Sequence, residues 1–251
     1  MHKLGLRKNL VDPTQDSAED ASLHAERPQQ AEFILVERNL NYPALVDEEA
    51  MALHCKAADA LESGDIDTAL ALSLKVNEMY PTFWFNHRTF LEAYALSVDC
   101  DRHKLIEMTS ETINGLRDQR LGRLPSERWA PTTEPVPVEA LAFEESRHWF
   151  NLGDDYETLA ATEQREKNLK QAASCFHESR LLLDPETKGK MVVARLLREA
   201  LVFHNLEDQN AAIDLVDAAC QKDSAYTVSF VRARPYMKPL ASYLLNRRNM
   251  Q

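Results

Sequence analysis

Four groups of residues have types that could do chemistry. Asp154, Asp155 and Glu157 crowd together. Carboxylates this close either hold a divalent cation or form a solvated acidic face, and their helical setting favours the face. Cys175 and His177 are two positions apart, which on a helix points them to different faces. Arg88 and Glu92 stand at i,i+4 beside His87, the spacing of a salt bridge rather than of a catalytic pair. Cys55, Cys100, Cys175 and Cys220 lie far apart, without the spacing of a zinc knuckle or a redox motif. Their apolar, helical contexts predict buried free thiols in a reducing cytosol. The chain has no HExxH, no glycine-rich phosphate loop and no Ser nucleophile elbow. No catalytic residue, metal site or cofactor is therefore expected.

The elements around these groups are helical by composition. The chain has 251 residues, of which 6 are glycine, and it is rich in Ala, Leu and Glu. Few glycines mean few tight turns. The net charge of −11 repels a phosphate backbone, so nucleic-acid binding is not expected. No apolar run approaches the ~18 residues that span a bilayer, and the N-terminus lacks the core of a signal peptide. A cytoplasmic protein is the expectation. Residues 1–42 read as an acidic tail too polar to fold alone, within which FILVERNL could dock as a short segment. At the other end, Arg232, Arg234, Lys238, Arg247 and Arg248 stand in a stretch without acids. It reads as a basic, solvated terminal helix that could also meet an acidic surface.

Between these ends the apolar residues recur at three- and four-residue steps. Leu53, Ala57, Ala60 and Leu61 form one stripe, and Ala69, Leu72, Val76 and Met79 the next. Gly64 ends the first helix, Asp65 or Asp67 caps the second, and Tyr80-Pro81 stops it. A second pair turns near Asp99-Cys100-Asp101. Pro125, Pro131, Pro135 and Pro137 then forbid a helix across the excursion 121–138, which is either ordered and pinned by Trp129 or a flexible linker. Two more pairs follow, and Pro239 can open a short last helix.

These pairs repeat. Leu53 and Ala57 align with Leu196 and Ala200, and alanines follow twelve residues later at Ala69 and Ala212. Two helices approach closely only where small side chains face each other. With Gly64, Asp65 and Pro81 in the first unit, Trp149, Leu152, Gly153, Tyr156, Ala173 and Pro185 in the third and Phe203 and Ala219 in the last, the chain resembles the tetratricopeptide repeat family over residues 47–224. It departs from the family's pattern in places. Gly153 to Ala173 is eight residues too long, Leu91 and His103 replace small residues in the second unit, and Ser224 replaces the closing proline of the last. TFWFNHRTFLEA is also similar to the helices of protein prenyltransferase alpha subunits. It occurs once, and is read as helix packing alone.

The resemblance implies an all-α, helical-hairpin solenoid of about four degenerate pairs over 43–235, with a basic C-terminal capping helix at 236–251. It also implies a concave groove lined by the first helix of each pair. The groove positions would be His54, Ala58 and Leu61; Phe85, Arg88 and Glu92; Arg147, Phe150, Asp154 and Glu157; and Leu197, Leu201 and His204. Phe85 and Phe150 serve either the groove or the inter-helix core. The lysine, asparagine and arginine set with which some family members clamp a chaperone's terminal carboxylate is absent. The expected function is therefore an adaptor or assembly chaperone that binds an amphipathic helix or an extended peptide. A self-associating homo-oligomeric subunit is the alternative, and a cryptic enzyme or small-ligand sensor a third.

Overall fold

In the computed structural model, residues 44–184, 186 and 188–248 are described, with backbone alone from 245 onward. The expectations for the tail 1–42, for Pro185 and for the side chains of Arg247 and Arg248 fall outside them. The described residues form α1 (Glu48–Ser63), α2 (Ile66–Met79), α3 (Trp84–Leu96), α4 (Arg102–Arg120), α5 (Val138–Ala160), α6 (Arg165–Leu181), α7 (Gly189–Asn205), α8 (Gln209–Ala233) and α9 (Ala241–Arg248). Short 3-10 turns cover Ser126–Arg128 and Pro235–Leu240. Among the described residues there is no strand, and no helix is long and apolar enough to cross a membrane.

The local signals act where they stand. Gly64 closes α1 in the left-handed region at φ 81°, and Asp65 starts α2 by accepting from the Thr68 N–H. Asp101 caps α4 through the N–H groups of His103 and Lys104. Asp47 caps α1 through the Ala50 N–H and also accepts from the Tyr80 hydroxyl at 2.8 Å. Those two bonds, the backbone one first, lower the Asp47 pKa, so one charge fastens the start of α1 to the end of α2.

Each helix packs on its neighbours in sequence, most extensively α5 on α6 and α7 on α8. Contacts also skip one helix: α1 reaches α3, and α3 reaches α5. The aligned small residues Ala57, Ala69, Ala200, Ala212 and Ala219 are all buried to completion. Gly153 serves the same end, because a Cβ there would stand 2.7 Å from the Phe176 ring, so α5 and α6 touch through that gap. The eight extra residues after Gly153 are absorbed by a four-residue connection, against two in the first hairpin, and by the depth of Ala173 in α6.

Two sequence expectations need correction. The proline-rich excursion is ordered, but Trp129 is not its pin: the half-buried indole donates to Leu124 O within its own loop. The excursion is held by an isolated bridge between Leu45 and Thr132, with Val46 N–H on Pro131 O and Thr133 N–H on Ala44 O. Ala130 and Val136 then cover the core of Leu45, Ala50, Val76, Phe83 and Phe85. Met79, placed on a buried stripe, is exposed. The last pair closes beside Ser224, where Asp223 is non-helical; its carboxylate then caps a further helical segment that runs to Ala233 by accepting from the Tyr226 N–H.

Candidate functional site

α5 is the helix on which the polar side chains converge. Glu144, Glu145, Ser146, Arg147 and His148 are consecutive and all buried, so this segment is enclosed on every side. Glu144, Glu145 and Ser146 each meet a partner on a different helix. Glu144 faces Arg88 of α3 at 3.5 Å. Glu145 accepts from the Nε of Arg117 and of Arg120 on α4, at 3.1 and 2.8 Å. The Ser146 hydroxyl donates to Ser179 O on α6 at 2.7 Å. Further along, Asp155 pairs with Arg102 of α4 at 2.5 Å, and Asp154 and Glu157 share Arg198 of α7. The acidic cluster is thus not a solvated face. Its three carboxylates answer two arginines on two other helices.

The electrostatics follow from burial. Burial pushes the Glu157 carboxyl up to about 7, against the pull of Arg198 and with the Asp154 charge adding to the rise. Burial opposes the charge of Arg198, but Asp154 and Glu157 outweigh it and raise its pKa. Its guanidinium also lies against aromatic faces, 5.2 Å from the Phe176 centroid and 5.3 Å from that of Tyr236. Arg195 stacks on Phe150 at 4.1 Å. His148 is buried with no hydrogen-bond partner on either ring nitrogen, and burial lowers its pKa to about 3. His87 is lowered to about 4 by the same cause.

The groove positions divide into two sets. Phe85, Arg147, Leu197 and Leu201 are buried, Phe85 in the core of the first hairpin. His54, Ala58, Leu61, Arg88, Glu92, Phe150, Asp154, Glu157 and His204 remain partly exposed. Several of these tie one odd-numbered helix to the next. His54 Nδ1 meets Asn86 Oδ1 at 3.0 Å between α1 and α3, and the Asn86 amide donates onward to Ser73 O on α2. Arg88 joins α3 to α5, Arg198 joins α5 to α7, and His204 Nδ1 meets the Tyr243 hydroxyl of α9 at 2.8 Å. Phe150 packs on Phe176 with the core between α5 and α6.

Sequence reasoning missed Asn86, Glu144, Glu145 and Arg198. Their signal was a polar or charged residue at a helix position whose neighbours are apolar, which marks a buried pair as readily as a solvated face. The thiols also divide: Cys175 and Cys220 are buried as expected, Cys100 is half-buried, and Cys55 of α1 is exposed. Burial raises the Cys175 pKa to about 12, which keeps that thiol protonated and unreactive. Among the described residues no group of three His, Cys, Asp or Glu could hold a metal ion. No family model matches the chain, and comparison with curated proteins gives no match.

Proposed function

We propose that the helix hairpins form a tetratricopeptide-like array, and that the array holds a partner polypeptide along the face shared by α1, α3, α5 and α7. The observation that carries this reading is the series of polar rungs between alternate helices: His54 with Asn86, Arg88 with Glu144, and Arg198 with Asp154 and Glu157. A stack needs ties between one hairpin and the next, and directional charge-assisted bonds set both spacing and register. A fixed register makes a binding surface preorganised, which lowers the entropy lost when a partner is ordered.

Binding is favoured over catalysis because the carboxylates of this region are held by cations of the same chain. Glu144, Glu145, Asp154, Asp155, Glu157 and Glu199 each face an arginine. A general acid or base needs a free face toward substrate.

The test is quantitative affinity capture from the source cell with the full chain and the double variant Ala58→Arg/Leu61→Arg. Both positions are partly exposed, so the substitutions alter the face and leave the rungs in place. One or a few proteins should be retained by the native chain and lost with the variant. Equal retention by both would reject the face.

A further inference from the structure

The chain's own C-terminal segment lies against α7, the last helix of the face. The turn Pro235–Leu240 packs on α7 and α8, and α9 continues from it along α8. Met237 and Leu240 are completely buried. The Tyr236 ring lies 5.3 Å from the Arg198 guanidinium, and the Tyr243 hydroxyl meets His204 Nδ1 at 2.8 Å. Arg198 and His204 are six residues apart on α7, about 9 Å along the helix. Tyr236 and Tyr243 are seven apart, so the segment runs beside α7 in the same direction. Burial raises the Tyr236 pKa, with Arg198 opposing and Asp154 and Glu157 adding to the rise. That ring therefore sits on the rung between α5 and α7.

This segment has the marks of an occupant of the face rather than of a member of the stack. Met237, Leu240 and Tyr243 recur at three-residue steps, the spacing of an amphipathic segment that fills a groove. Arg234 is extended, at φ −121° and ψ 112°, and Pro235 brings no N–H, so a new element starts where α8 ends. Among the described residues, the one side-chain hydrogen bond from 235–244 to the rest of the chain is that of Tyr243, whereas charged rungs tie the hairpins. Arg198 keeps a buried Nε–H without an acceptor, so the segment covers the rung without satisfying it. A chain end can also leave its place without unfolding what precedes it. We propose that this segment is an internal ligand, displaced by a partner whose own short amphipathic stretch carries apolar anchors at the same three-residue steps, a displacement that rests on the groove reading above.

The probe is a fluorescein-labelled peptide of residues 234–244, titrated into the full chain and followed by anisotropy. The tethered segment competes at a high effective concentration, so the peptide should bind the full-length variant Met237→Ser/Leu240→Ser at least roughly tenfold more tightly than the native chain. A peptide with the same two serines should bind neither. The amide resonances of α1 to α6 should match those of the native chain. Tyr236→Ala/Tyr243→Phe is the second variant. It removes the ring over Arg198 and the hydroxyl on His204 but no buried anchor, and should tighten peptide binding roughly threefold. Equal binding by native and variant chains, no binding by variants with native α1 to α6 resonances, or loss of those resonances in both variants would overturn the proposal. In capture from the source cell, the protein lost with Ala58→Arg/Leu61→Arg should be retained in greater yield by Met237→Ser/Leu240→Ser. Peptide binding without any such protein would reject the longer face and keep the α7 surface. Capture without peptide binding would reject the internal ligand alone.

Discussion

His148 shows most plainly what the polar seam demands of single residues. A buried ring with two unpartnered nitrogens costs about 1–3 kcal/mol relative to one that is satisfied. The folded pKa of about 3 lies below the ordinary value of 6.5, so the neutral ring's contribution is complete above pH 6.5 and is lost as pH falls toward 3. His148→Leu should therefore melt higher than the native chain at pH 7, and its advantage should widen as pH falls from 7 to 4. Thermal melts across that range measure it, and a constant difference would show that His148 does not titrate on unfolding. Glu157 has the opposite sign. Its folded pKa of about 7 lies above the ordinary 4.5, so its contribution is complete below pH 4.5 and is lost as pH rises through 7. Glu157→Gln should match the native chain at pH 5 and exceed it in melting temperature at pH 8. A variant less stable at pH 8 would mean that attraction to Arg198 outweighs burial.

Helices meet through small residues, and this sets the next scale. Gly153→Ala adds a helix-favouring residue, worth about 1 kcal/mol in an open helix. The new Cβ would stand 2.7 Å from the buried Phe176 ring, and overpacking of that kind costs about 1–3 kcal/mol. Net destabilisation in urea is expected, and a more stable variant would show that α5 and α6 can separate freely. The proline-rich excursion makes a similar demand on the first hairpin. Leu45→Ala should cost about 2–5 kcal/mol and speed amide exchange at Val46 and Thr133, whose N–H groups close the bridge. The helix boundaries at Gly64, Asp65, Pro81 and Asp101 were legible in sequence because capping is local chemistry. The course of the excursion was not, because proline excludes a helix without saying what the chain rests on, and the Leu45–Thr132 bridge joins segments far apart. Asp154 and Glu157 were legible as a pair but not as ligands of Arg198, since their spacing on α5 says nothing about α7.

At the scale of the whole chain, the rungs tie α1 to α3, α3 to α5 and α5 to α7. Arg198→Met would leave Asp154 and Glu157 facing each other without a cation. Two like charges left half-buried without their cation cost about 1–3 kcal/mol, so this variant should melt below the native chain. The central claim is that a partner lies along the face of α1, α3, α5 and α7. Its most direct test is photo-crosslinking in the source cell, with a benzophenone side chain placed singly at Ala58, Glu92 or Phe150 and, on exposed helix surfaces elsewhere, at Lys170 or Lys222. The three face positions should each trap the same polypeptide, and the two controls should not. Traps at the controls alone, or different proteins from every position, would contradict the claim.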